Sequence, residues 1–294
     1  MYINSTNIVG SNHLGNISYK SIAKHGAEHN EDSFFINDDF PDGTIAVGIF
    51  DGVGGAECGE KASETAAKTI DEKLSTLPDN RSDEGTIQWI QSAYSAAREA
   101  LFESPDLFNA KNASTTGTIA VITKKIFVAH CADSRAYLIK TNSIEPLTID
   151  DGLKGIDKPN SLLIMSLEEL QKQIKKTPQF FLSSLTKKNQ LISEEKEEDF
   201  RNRHRIFCSI SKIHELRLSI TIAEFSKDSN SRLCLTTDGV HDNLTDKEIL
   251  KYAKKSLSTY ELADTLVQKA YNRAKLRKHI RAKRDDMTTI VVSL

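Results

Sequence analysis

Ile45-Ala46-Val47-Gly48-Ile49-Phe50-Asp51-Gly52-Val53-Gly54-Gly55 decides the reading of this chain. An apolar, strand-like run ends on a carboxylate and breaks at once into a glycine-rich turn. The arrangement recurs. Asn30-Glu31-Asp32 precedes Ser33-Phe34-Phe35-Ile36, Asp133 follows the run Ile126 to Cys131, and Asp238 follows Leu233 to Thr237. Asp285-Asp286 precedes Met287 to Val292. Three of the groups end a strand and two begin one. In an antiparallel sheet the end of one strand lies beside the start of its neighbour, so all five are predicted to gather on one rim. Carboxylates collected in this way repel one another unless cations sit among them. Oxygen-only ligation points to hard divalent ions, magnesium or manganese first.

Outward from this stretch, Ile17 to Ile22 reads as an edge strand after a polar lead-in. Ala62, Ala66, Ile70 and Leu74 recur every four residues and predict a helix over about 58–77. Ile87, Ile90, Tyr94, Ala97 and Leu101 predict a second over about 84–102, with Pro78 and Pro105 as punctuation. Thr118 to Ile122 and Ile126 to His130, joined by Lys124-Lys125, read as a hairpin. A tight turn at Ala132-Asp133-Ser134 then leads into a strand from Arg135 to Ile139. Between about 150 and 230 the pattern weakens, and the segment reads as an insertion in an otherwise single domain spanning 1–294. Within it, Leu167 to Lys176 reads as a short helix and Leu216 to Phe225 as a strand. Two further helices, about 246–256 and 260–279, precede the closing strand. Strand runs interrupted by paired helices, without βαβ regularity, predict an α+β fold with antiparallel sheets.

The chain has 294 residues, 38% of them hydrophobic and 27% charged, which describes an ordinary globular protein with room for a large core. A formal net charge of −2 gives no global electrostatic case for nucleic acid or an anionic membrane. No run approaches the roughly 18 apolar residues that span a bilayer, and Met1 to Gly10 lacks the features of a signal peptide. Cys58, Cys131, Cys208 and Cys234 form no CxxC pair, and Cys131 and Cys234 read as buried small hydrophobes. A cytoplasmic, reduced setting is expected.

The ordered motifs HNEDSFF, FDGVGG, ADSR, TTDGVHDNLTDKE and RDDMTTIVV resemble those of the metal-dependent serine/threonine protein phosphatases of type 2C, in a bacterial-like version. The resemblance covers nearly the whole chain apart from the middle insertion. It implies a four-layer αββα sandwich, two antiparallel sheets flanked by helix pairs, with a centre for two Mn²⁺ or Mg²⁺ ions at one end. By position, Glu31, Asp51, Asp238 and Asp285 would hold the ions, with Asp51 bridging and the Gly52 carbonyl adding an oxygen. Asp51, Asp238 and Asp285 would carry catalysis. Glycines at 52, 54 and 55 would allow the close backbone approach. Asp133 and Asp242 would join Asp238 in a third, looser site, although each also suits an ordinary turn or helix start. Asp32 would act through water, and Asp286 stands where many relatives carry Asn.

Two departures stand out. Relatives place a phosphate-gripping arginine where this chain has Ala27, and Lys24 is the candidate substitute, with His25 and His29 behind it. Animal relatives carry a histidine at the position of Val53, so help in protonating the leaving group would fall to water; His241 is a nearby nominee that more simply fills an apolar position. The charge block from Glu194 to Arg205, including Arg203 and His204, reads as a solvated part of a flap-like insertion. The basic stretch Arg273 to Arg284 resembles a nucleic-acid patch only in composition and reads as a basic helix end near an anion-binding rim.

The resemblance implies metal-dependent hydrolysis of phosphoserine and phosphothreonine on protein substrates, opposing a serine/threonine kinase. Two alternatives accompany it. One is a pseudophosphatase serving as a regulatory binding module, favoured by Ala27. The other is a phosphatase of a small phosphorylated metabolite, with a pocket shaped by the insertion.

Overall fold

The computed structural model describes residues 2–3, 7–11, 15–53, 58–151, 162–191, 193–203, 205–206, 208–213, 216–226 and 230–294. The first sheet has the spatial order β1 (Tyr2–Ile3), β4 (Asp32–Asn37), β5 (Ile45–Asp51), β7 (Gly117–Ile122), β8 (Ile126–Cys131), β13 (Leu218–Ala223) and β11 (Leu162–Ser166). The second runs β10 (Ile144–Pro146), β9 (Arg135–Ile139), β14 (Arg232–Thr236), β15 (Met287–Ser293), β3 (Ile17–Ile22) and β2 (Asn7–Ser11). A small third sheet pairs β6 (Ser114–Thr115) with β12 (Ile210–Ser211).

Side-chain alternation builds the layers. Phe34, Val47 and Ile49 point between the sheets, where they meet Leu138, Leu235, Ile290 and Val292. Their neighbours Phe35, Ala46 and Phe50 point the other way, onto α1 (Gly59–Lys73) and α2 (Asp83–Glu103). The outer face of the second sheet, with Tyr137, Cys234, Met287 and Val291, packs on α7 (Asp246–Ala253) and α8 (Thr259–Leu276). The result is the four-layer αββα sandwich.

Local chemistry sets the helix starts. Ser82 accepts from the Gly85 amide, and Thr245 and Glu248 form a reciprocal capping box.

Two expectations need correction. The 17–22 strand is not an edge, because β3 pairs with β15 on one side and β2 on the other. Asn7–Ser11, too polar and glycine-bearing to stand out in the sequence, supplies the edge. The sheets are also not purely antiparallel, since β11 runs parallel to β13 from Leu162↔Leu218 to Ser166↔Ile222. The segment after Asp151 therefore adds a strand to the first sheet. It then forms α3 (Leu167–Ile174), α4 (Pro178–Leu182) and α5 (Glu194–Asn202).

Candidate active site

Strand register brings the acidic groups to one end of the sandwich. Asp32, which opens β4, lies directly opposite Asp51, which closes β5. On the second sheet, β14 ends one residue before Thr237, whose amide donates to the Thr288 carbonyl of β15 at 3.0 Å. That pairing sets Asp238, the first residue of α6 (Asp238–His241), beside Asp285 and Asp286 at the entry to β15. Gly239 permits the approach, because a Cβ there would lie 1.8 Å from the Asp286 carbonyl oxygen. Asp133 occupies the turn between β8 and β9, and Asp242 follows the last residue of α6 rather than starting a helix.

Each backbone is fixed by its neighbours. The Asp51 amide donates to Thr116 Oγ1 at 2.9 Å, and its carbonyl accepts from Thr115 Oγ1 at 2.9 Å and the Thr116 amide at 2.8 Å. The Gly52 amide donates to the Glu31 carbonyl at 3.0 Å, and the Gly52 α-carbon packs too close to the Gly59 carbonyl for any side chain. Gly54 and Gly55 lie outside the described residues. Asp32 is buried, and its Oδ2 accepts from Thr288 Oγ1 at 2.7 Å and Thr237 Oγ1 at 2.9 Å. One carboxylate thus ties the first sheet to the second. Asp286 clamps the first motif: its oxygens accept from the Lys24 amide at 2.6 Å and the Glu31 amide at 2.9 Å.

The electrostatics are those of acids crowded together. Burial, with Asp32, Asp238, Asp285 and Asp133 adding like charge, pushes the Asp51 carboxyl well above the usual range. Burial and then Asp286 do the same to Asp32, against the hydroxyl donors. Burial and Asp238 raise Asp133. Asp238 is pushed up to about 7 by burial, aided by Asp285 and Asp242 and opposed by Lys283. Among the described residues, the inner oxygens Asp32 Oδ1 and Asp238 Oδ1 are buried without a hydrogen-bond partner. Orphaned carboxylate oxygens in a crowd of raised acids are the donor set that hard divalent cations require, so the residues fit such ions.

Several basic groups reach this end. Lys24 Nζ lies 2.7 Å from Glu31 Oε2 and 3.7 Å from Asp286 Oδ2. It therefore faces the cluster, with its ammonium engaged by carboxylates. His241 is buried, its Nδ1 bonded to Thr236 Oγ1 at 2.9 Å, and burial lowers its pKa well below the usual imidazole value. It is a neutral interior group.

The 273–284 stretch follows its expectation only in part, as the basic end of α8. α8 ends at Leu276, Arg273 pairs with Glu248 at 2.6 Å, and Arg281 and Lys283 turn inward. Arg281 is 1% exposed and donates to the carbonyls of Leu182, of Leu185 at 3.4 Å, and of His241 at 2.6 Å. Lys283 Nζ contacts Asp238 Oδ2 and lies 3.0 Å from Asp285 Oδ2. Arg203, from the charged block, is not wholly solvated: its Nε lies 3.7 Å from Asp242 Oδ2. His204 lies outside the described residues.

Residues 16–152 match the family model for protein phosphatase 2C. Over these residues the chain is similar to that family. The chain is also 27% identical over 160 residues to a Mycoplasma genitalium protein with a provisional protein-phosphatase name, covering 51% of this chain and 59% of that one. The chain thus spans about three fifths of that relative's length. The likeness of fold continues beyond the matched residues. Stp1, a serine/threonine phosphatase of Staphylococcus aureus, superposes with a TM-score of 0.70 at 18% identity, over 99% of this chain and 97% of its own. The Mycobacterium tuberculosis serine/threonine phosphatase PstP/Ppp gives 0.63 at 20% identity, over 95% and 97%.

Sequence reasoning missed Lys283, Arg281 and the Thr237–Thr288 clasp. Lys283 had a legible signal: it stands two residues before Asp285 on the approach to a strand, and residues two apart in extended chain share a face. Arg281 carried none, because its partners are carbonyls far away in sequence. Among the described residues, no helix is long and apolar enough to cross a membrane.

Proposed function

We propose that the chain hydrolyses phosphoserine and phosphothreonine monoesters on protein substrates, with two Mn²⁺ or Mg²⁺ ions held by Glu31, Asp51, Gly52, Asp238 and Asp285. The observation that carries this reading is the meeting of Asp32, Asp51, Asp238 and Asp285 from both sheets, with buried carboxylate oxygens left unpartnered. When bound, such ions acidify water and offset the charge of an in-line displacement at phosphorus.

The protein's part is to orient and to exclude. Thr115 and Thr116 fix Asp51 at the strand end, and Asp286 fixes the backbone of Glu31. The Thr237 and Thr288 hydroxyls hold one oxygen of Asp32 and leave the other facing inward, able to orient water. Lys24 is the cation placed to meet a substrate phosphate at the position Ala27 leaves without a guanidinium. With His241 buried and neutral, the leaving alkoxide takes its proton from solvent. In this reading residues 1–294 form one phosphatase unit, and about 150–230 forms a flap bordering the site. The setting is cytoplasmic, and the opposing enzyme is a serine/threonine kinase.

The test is hydrolysis of a phosphothreonine peptide with and without Mn²⁺, comparing wild type with Asp51→Asn. Manganese-dependent turnover lost in the variant is expected; full activity in the variant would refute the assignment. Ala27, together with the engagement of Lys24 by Glu31, favours one second reading, a regulatory binding module with little turnover. Tight manganese binding without turnover on phosphopeptides or small phosphoesters would support it. Turnover confined to small phosphoesters would instead identify a metabolite phosphatase.

A further inference from the structure

We infer that the Lys283 ammonium is a built-in cation standing where a third metal ion would sit, so that Asp242 is a lysine partner and the centre takes two divalent ions. This rests on the metal-centre reading above. Lys283 Nζ contacts Asp238 Oδ2, lies 3.0 Å from Asp285 Oδ2 and 3.6 Å from Asp242 Oδ2. An ammonium has three donors, and three carboxylates surround this one.

The position is constructed. The Lys283 amide donates to Asn243 Oδ1 at 3.1 Å, and its carbonyl accepts from Asn243 Nδ2 at 2.9 Å. Asn243 is fully buried, and the same Nδ2 donates to the Gly239 carbonyl at 2.8 Å. The lysine backbone is therefore locked to the turn that carries Asp238 and Asp242. On the far side, Arg203 Nε lies 3.7 Å from Asp242 Oδ2, so that carboxylate sits between two fixed positive charges.

The ligand count follows. A hard divalent ion needs several free oxygens, and Asp238 has Oδ2 committed to the lysine. Its Oδ1, buried and unpartnered, remains for one of the two ions. Among the described residues, Asp242 Oδ2 is buried without a hydrogen bond, yet it lies 3.6 Å from Lys283 Nζ and 3.7 Å from Arg203 Nε, so two ion pairs already offset its charge. A third ion among Asp133, Asp238 and Asp242 would have to displace Lys283 against Arg203.

The experiment counts manganese bound to the full chain after equilibrium dialysis, by elemental analysis, independently of turnover. Two equivalents are expected in wild type and in Lys283→Arg, three in Lys283→Ala, and two again in Lys283→Ala/Asp242→Asn. Asp242→Asn alone should keep two, which tests the inference even if Lys283→Ala fails to fold by circular dichroism. Three equivalents in wild type, or two in a folded Lys283→Ala, overturn it. No manganese in wild type would instead sink the metal centre, and this inference with it.

Discussion

Gly239→Ala probes whether the distance between α6 and the entry to β15 sets the site. The added methyl would lie 1.8 Å from the Asp286 carbonyl oxygen and 3.1 Å from Met287 Cγ, whereas Cβ contacts essentially never fall below 3.0 Å. At least about 1.2 Å must therefore open between two backbone segments, neither of which is a flexible side chain. Asp238 precedes one contact and Asp285 precedes the other, so the strain pries apart two acids that must share a centre. Overpacking of this kind costs about 1–3 kcal/mol, and a displacement near 1 Å costs about 10²-fold in turnover. The assay pairs a thermal melt in chelator with manganese-dependent turnover. Gly43→Ala is the control: Gly43 has φ +74° with nothing within 4 Å, so alanine there strains the backbone by about 1–2 kcal/mol, far from the acids. Similar losses of stability in both variants, with turnover lost only in Gly239→Ala, are expected. Wild-type turnover in Gly239→Ala would refute the reasoning.

Removing the Thr288 hydroxyl as Thr288→Val takes one of two donors from buried Asp32, and a loss of roughly 1–3 kcal/mol in urea unfolding is expected; an unmoved midpoint would contradict the clasp. Glu248 is pulled down to about 2 from 4.5: burial opposes the shift, but the Arg273 and Thr245 hydrogen bonds outweigh it. Its contribution is present above about pH 4.5 and is lost as pH falls toward 2. After discounting for solvent screening it amounts to roughly 1–2 kcal/mol, and Glu248→Gln should flatten stability against pH in that window. Lys24→Met frees Glu31 from its ammonium, so the manganese titration midpoint should move several-fold lower; no movement would show that Lys24 and metal do not compete.

The layers were legible because strand alternation and four-residue helical spacing are local signals, as Phe34/Phe35 and Ala62/Ala66/Ile70 illustrate. The gathering of the acids was legible for the same reason, since register follows from where each run starts and stops. What escaped depends on contacts across the chain. β2 became an edge only through its pairing with β3, and the parallel β11–β13 pair needs a crossover that no short pattern announces. At 273–284 composition indicated a basic helix end but not where the residues after it turn. Arg281 and Lys283 are inside because carbonyls and carboxylates await them there.

On the proposed reading of 150–230 as a flap beside the site, Arg281 would bear on how a substrate is chosen. Its guanidinium joins the carbonyls at 182 and 185 to the end of α6, and the Asp246 amide adds a 3.1 Å bond to the Ser183 carbonyl. Swinging residues 178–185 outward would strand a buried charge, so this stretch is a wall and not a gate. An aperture of fixed shape is ordered during folding and demands no ordering at each encounter. On that reading, selection along this wall would act through which side chains face the opening, and new preferences would arise by surface substitution while the backbone path around Arg281 stays put.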